Sequence, residues 1–362
     1  MICFWVPEKG YENEKIFGKP ALKSFTHLYF EDTGIPHITK IINQDSVNKK
    51  DQNFFLVLDS ANLYSIIENN QYKKYQKEID WCVSQNIQIV FDRSWEWWNL
   101  NINLPFEYKV ITNTTHTTSN VIDAQWFPRY LSAYINYQDY NLLPKQVEKK
   151  YLYTTLFGEI RKPHRLMLFA GLEKENLLSF YTKFIRYTYT NFSYDYQNSK
   201  YYEYIKENWN DLISDKMFDM SSVQESKLMY GDKKIPEEFH ESYFNIVVES
   251  TTEEHFYTEK TYKPIMVKIP FFIHGSQYQN QQLKNYLGLE LYDEIFDYSF
   301  DSIADVHKRT EMIVEEVGRI SKEPLSIFTQ PKTTEKLEYN FNIYNKIASK
   351  EYIQKELVKA FR

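Results

Sequence analysis

Glycine is scarce in this chain, 9 in 362 residues, and cysteine is nearly absent, with two. Two thiols, Cys3 and Cys82, supply neither a disulfide framework nor a metal-ligand spacing. No apolar run approaches the roughly 18 residues of a membrane span. The N-terminal MICFWVPEKG lacks the basic start and apolar core of a secretory signal. The expectation is therefore a soluble, cytoplasmic protein without a membrane partner. A net charge of −6 gives no support to a broad polyanion-binding face, although it leaves a local basic patch open. There are no internal repeats. What the chain does have is aromatic residues, 31 Tyr and 25 Phe, within a globular composition of 43% hydrophobic and 25% charged residues. Its length suits two domains, each burying its own core. Aromatic abundance alone does not establish a sugar or base platform.

The first half reads as short apolar runs that each end in polar residues. Residues 54–58 (FFLVL) run into Asp59, 87–91 (IQIVF) into Asp92, 108–112 (YKVIT) into a Thr/Asn loop with His116, and 122–127 carries Asp123. An amphipathic helix over 72–84 lies between the first two. Strands of this length spaced by helices predict a parallel, Rossmann-like α/β sheet with polar groups at its carboxyl end. Residues 92–100 (DRSWEWWNL) place Trp95, Trp97 and Trp98 around Glu96. Two readings stay open for that segment: tryptophans packed on the core, or an acceptor platform on which a sugar or base stacks beside an acid. The apolar pattern lapses near 138–150, which sets expected domains of 1–145, 146–335 and a C-terminal helix of 336–362 with a break near Ala348.

The second half restarts with a strand at 151–157, then Gly158, Arg161, His164 and Arg165 at the start of a helix over about 163–172, with a further helical turn at 177–180. If helical, Arg161 and Arg165 are four apart and can converge on one phosphate. The plain alternative is two solvated surface arginines. Strand character is expected over 184–196, and helices over 201–217, 280–286 and 301–320. The richest stretch is 244–276 (FNIVVESTTEEHFYTEKTYKPIMVKIPFFIHGS), read as strand, Glu249, polar loop, helix and second strand. Thr258, Glu259 and Lys260 open that helix. Its N-terminus suits a phosphate, Lys260 adds a charge, and Glu249 and Glu259 are acceptors suited to ribose or sugar hydroxyls. Against this stands the simpler reading that Thr258 only caps the helix.

The spacing from Glu249 to Thr258-Glu259-Lys260, followed by IPFFIHGS, resembles glycosyltransferases of tailed phages and large viruses, and is similar to the donor segment of α1,3-fucosyltransferases. Arg161-x-x-His164-Arg165 looks like the basic element of the same phage proteins. The resemblance covers about 151–302, and Ser250 departs from it where the fucosyltransferases carry Asn. It implies a GT-B fold, with two Rossmann-like domains facing across a cleft, donor on the second and acceptor on the first. A final helix crosses back. It also implies metal-independent transfer from a nucleotide-diphosphate sugar, with no resident cofactor. The donor would be held by Arg161, Arg165, Glu249, Thr258, Glu259 and Lys260, and its leaving diphosphate stabilised by the cations among them. The acceptor would be hydroxymethylated DNA or a glycan hydroxyl, met by Trp95, Trp97, Trp98 and His116. Asp92, Glu96 and Asp123 are the candidates for its base, ahead of Asp59 and His116. A nucleotide- or glycan-binding module without turnover is the rival reading.

Overall fold

The computed structural model describes residues 1–6, 15, 16, 19, 20, 34–42, 44–58, 73, 75–93, 104–112, 121–123, 147–160, 162–184, 196–213 and 237–361. The chain divides into two compact units, Met1–Tyr130 with Ala348–Arg362, and Leu131–Ile347. It is a mixed α/β protein with parallel sheets. Among the described residues no helix is long and apolar enough to cross a membrane.

In the first unit, β1 (Ile2–Val6), β2 (His37–Ile41), β3 (Gln52–Leu58), β4 (Gln88–Arg93), β5 (Tyr108–Thr112) and β6 (Val121–Asp123) form one sheet. Their order is β2-β1-β3-β4-β5-β6, and every pairing is parallel. β1 is an inner strand that the sequence reading did not assign. Its Cys3, Phe4 and Trp5 are buried, as parallel strands covered on both faces require. Helix α1 (Gln76–Ser84) packs Ile79 and Cys82 against Trp5, Phe55, Ile89 and Phe91. Burial pushes the Cys3 thiol up to about 11 and the Cys82 thiol up to about 12, so both are inert packing groups rather than nucleophiles.

The second unit carries β7 (Tyr151–Glu159), α2 (Pro163–Lys174), β8 (Phe180–Phe184), β9 (Ser242–Val248), α3 (Glu259–Met266) and β10 (Phe271–His274). After them come α4 (Gln279–Leu287), α5 (Val306–Ile320) and α6 (Pro331–Ile347). Its sheet has the order β8-β7-β9-β10, again all parallel. From Leu166 to Leu172 α2 is apolar around its circumference, and every residue from His164 to Leu172 is buried, since the sheet covers one side and α5 with the short helix Tyr202–Glu207 the other. Residues 177–180 depart from the expected helical turn: Asn176, at φ 55°, ends α2 in the left-handed conformation and the chain enters β8. The helix expected from 301 begins at Val306, where Asp305 accepts hydrogen bonds from the His307 and Lys308 backbone N–H groups.

A last helix, α7 (Lys350–Ala360), belongs to the first unit. Phe361, at its end, meets Phe4 and Phe54 edge-on at centroid distances of 5.9 and 5.2 Å.

Candidate functional site

The topology of the second unit selects one place. β7-α2-β8 crosses to one side and β9-α3-β10 to the other, so strand order reverses between β7 and β9. At such a switch point the two crossover loops part and leave a crevice outside the carboxyl ends of the strands, where open α/β sheets hold ligands.

Glu249 follows β9 at this point and is wholly buried. Its Oε1 accepts hydrogen bonds from Thr258 N (2.9 Å) and Thr261 Oγ1 (2.6 Å), and its Oε2 accepts from Thr258 Oγ1 (2.7 Å). Thr258 is in turn the cap of α3, accepting from Lys260 N at 3.3 Å. The carboxylate expected to hold sugar hydroxyls therefore faces inward, where it organises a helix start. Lys260 is half-buried on the first turn, and its Nζ donates to Thr258 Oγ1 at 3.2 Å. Glu259 is the first residue of α3.

The basic start of α2 closes on the same strand end. His164 Nε2 donates to the Glu249 carbonyl at 2.9 Å, Arg165 Nη2 donates to that carbonyl at 3.1 Å, and Lys162 Nζ donates to the Ser250 carbonyl at 2.6 Å. Arg165 is 3% exposed, so it is not a solvated surface arginine; its guanidinium is built into the fold behind the crevice. Arg161 lies outside the described residues.

The neighbouring loop after β10 is braced against the loop before α3. Gln279 Nε2 donates to the Phe256 carbonyl (3.0 Å), Tyr257 Oη to the Gln279 carbonyl (2.9 Å) and His255 Nε2 to the Gln277 carbonyl (2.7 Å). His274, fully buried at the end of β10, packs edge-on to His164 with centroids 5.6 Å apart. The Thr310 hydroxyl donates to the Val306 carbonyl, so His274 Nε2–H donates to Thr310 Oγ1 at 3.0 Å and Nδ1 carries the lone pair of a neutral imidazole. Burial above all, then the charges of Arg309 and Arg165, lowers the His274 pKa to about 3. Burial, followed by Arg165, holds His164 well below its ordinary value.

The helix starts at this edge differ in one respect. α3 has Glu249 behind it, α4 has Asp301 accepting from Asn280 N (3.0 Å) and Gln281 N (2.9 Å), and α5 has Asp305. α2 has a lysine at its cap position, a proline in its first turn, no acid there and no side-chain cap. Among the described residues it is the one of these four helix starts that no carboxylate caps.

In the first unit, Asp92 and Asp123 stand near the carboxyl ends of β4 and β6 by their backbone positions. Asp59, Trp95, Glu96, Trp97, Trp98 and His116 lie outside the described residues. Residues that sequence reasoning did not single out are Lys162, Thr261, His274 and Arg309. Thr261 was readable in principle, lying one turn beyond Thr258 on the same helix face, whereas the others depend on contacts between distant segments. Among the described residues no group of His, Cys, Asp and Glu side chains is arranged to hold a metal ion.

No family model matches this chain and no curated protein matches it. A solved α1,3-fucosyltransferase crystal structure is similar to it with a TM-score of 0.41 and 9% sequence identity, over 98% of this chain and 91% of that chain. A likeness at that level carries no inference about fold or activity.

Proposed function

We propose that this chain is a nucleotide-sugar-dependent glycosyltransferase of GT-B type whose nucleoside diphosphate binds at the carboxyl edge of the second unit's sheet. The carrying observation is that two crossovers starting in basic residues, Lys162 to Arg165 and Lys260, meet on one strand end at a topological switch point. The start of α2, which lacks an internal acid, is the natural seat for phosphate oxygens, with Lys162 beside it. Lys260 on α3 adds a second cation from the other crossover. When the glycosidic bond breaks, negative charge accumulates on the leaving diphosphate, and preorganised cations lower that barrier. Glu259, at the first helical position, is the acid assigned here to ribose or sugar hydroxyls. The acceptor hydroxyl, on hydroxymethylated DNA or on a glycan, is assigned to the first unit, with Asp92, Glu96 or Asp123 as its base and the tryptophans as its platform.

A thermal-shift panel of nucleoside diphosphates and nucleotide sugars tests the reading. A ligand at a hundred times its dissociation constant adds about 2.7 kcal/mol to the folded state, which a melting curve resolves. One base should raise the melting temperature, and Lys260→Ala should remove most of that rise. Absence of stabilisation by every nucleotide at millimolar concentration would refute the proposal. Donor turnover with hydroxymethylated DNA or glycans then separates the two acceptors, and binding without turnover marks a non-catalytic module.

A further inference from the structure

We infer that Glu249 is a positioning residue for the diphosphate seat and makes no contact with the nucleotide itself, an inference that rests on the nucleotide reading above. Glu249 is the point where both crossovers are tied. Its side chain holds the start of α3 through Thr258 and Thr261. Its carbonyl holds the start of α2 through His164 and Arg165. Its backbone N–H donates to the His274 carbonyl at 3.1 Å, which fixes the strand end on β10. One residue thus sets the spacing between the basic start of α2 and Lys260 on α3, the two sides from which a diphosphate would be gripped.

The side chain has to be an acid for a stated reason. Three donors converge on it, a backbone N–H and two hydroxyls, and no acceptor does. A carboxylate offers lone pairs to all of them in charge-assisted bonds. A glutamine of the same shape turns an NH₂ towards one of the donors, so a hydroxyl must rotate away and the first turn of α3 loses part of its tether. With zero exposure, Glu249 reaches a ribose only if the groups packed around it move aside.

Direct contact and positioning separate in one experiment. Binding of the four ribonucleoside 5′-diphosphates and the four matching nucleosides is measured by calorimetry, with ligand-observed NMR for the weaker nucleosides, on the wild type and Glu249→Gln. Positioning predicts that diphosphate affinity falls by about tenfold or more, the scale of one lost charge-assisted interaction, while nucleoside affinity stays within twofold. Equal losses for nucleoside and diphosphate would make Glu249 a ribose ligand and overturn the inference. Unchanged affinity for both would make its role purely architectural and overturn it equally. If the wild type binds none of these ligands, the nucleotide reading fails first and takes this inference with it. Should Glu249→Gln not fold, Thr261→Val removes one donor while leaving the acid in place. That variant should show a smaller loss, again confined to the diphosphate; its absence there would refute the inference.

Discussion

The buried histidine pair sets a pH dependence of stability that can be worked out from the structure. His274 is held at about 3 against an ordinary 6.5, and His164 is lowered well below the same value, both chiefly by burial. The charges that face them are cationic: Arg309 and Arg165 for His274, Arg165 and Lys162 for His164. Between the two pKa values the unfolded chain binds more protons than the folded one, so stability falls as pH is lowered through and below 6.5. From pH 7 to pH 5 a ring that titrates only when unfolded, as His274 does, costs about 2 kcal/mol, and His164 adds to the loss in the same direction, a large part of a typical domain's stability. Asp293 is lowered by its Lys336 partner to about 2 and loses its contribution only below the ordinary 3.8, whereas Asp301, raised by burial, acts in the opposite sense to the rings and is common to wild type and variant, so the comparison between them cancels it. The assay is urea unfolding of the full chain at pH 7 and pH 5, wild type against His274→Gln, since glutamine can keep the donor to Thr310. The variant should lose about 2 kcal/mol less than the wild type over that interval. His164→Gln, which can keep its donor to the Glu249 carbonyl, should behave alike. Parallel losses in the wild type and both variants would refute the assignment of neutral, buried rings.

Two further outcomes test the packing of each unit. A methyl added at Gly171 would lie 2.7 Å from the Tyr201 ring and 2.8 Å from Val314, so Gly171→Ala should destabilise by about 1–2 kcal/mol even though alanine is the better helix former; a raised melting temperature would contradict the close packing of α2 on α5. Phe361→Ala should cost roughly 3–5 kcal/mol and speed proteolysis at the C-terminal helix, because the ring is buried on Phe4 and Phe54; unchanged melting and cleavage would show that α7 is not docked on the first unit.

The parts legible in the sequence were those with a short-range cause. β5 was read at its own bounds, and α3 was found from Thr258, because a cap and a period-2 apolar run are local signals. β1 escaped because ICFWV starts at residue 2 with no turn signal before it, and only its place inside the sheet makes it a core strand. Residues 177–180 misled because a short apolar run with two leucines fits either a helix or a strand, and the left-handed Asn176 decides between them. For the candidate site, sequence reasoning reaches the strand end after Val248 but not the wiring around it. The partners of Glu249 lie 9 and 12 residues away through its side chain and 84 and 85 away through its carbonyl, and no periodicity encodes closures of that length.

The same wiring explains why the histidines have to stay neutral. Around the carboxyl edge of the second unit the described buried groups that can carry charge near neutral pH are Arg165 and Arg309, Glu249 and Asp301, and the two rings. Formal charge then cancels, two positive against two negative, provided that both rings carry none. Each acid is engaged by donors at a helix start, Glu249 at α3 and Asp301 at α4, while Arg165 donates to the Glu249 carbonyl and Arg309 to the carbonyls of Ile303 and Ala304. A proton on either ring adds an uncompensated charge in a place where solvent cannot screen it, and next to arginines that repel it. Neutral imidazoles add no charge beside the arginines while still supplying hydrogen bonds to the Glu249 carbonyl and Thr310, which an apolar residue could not do and a lysine could do only as a third cation. The start of α2 therefore presents its positive end against a background that is otherwise balanced, so a phosphate bound there would meet a field set by that helix, Lys162 and Lys260.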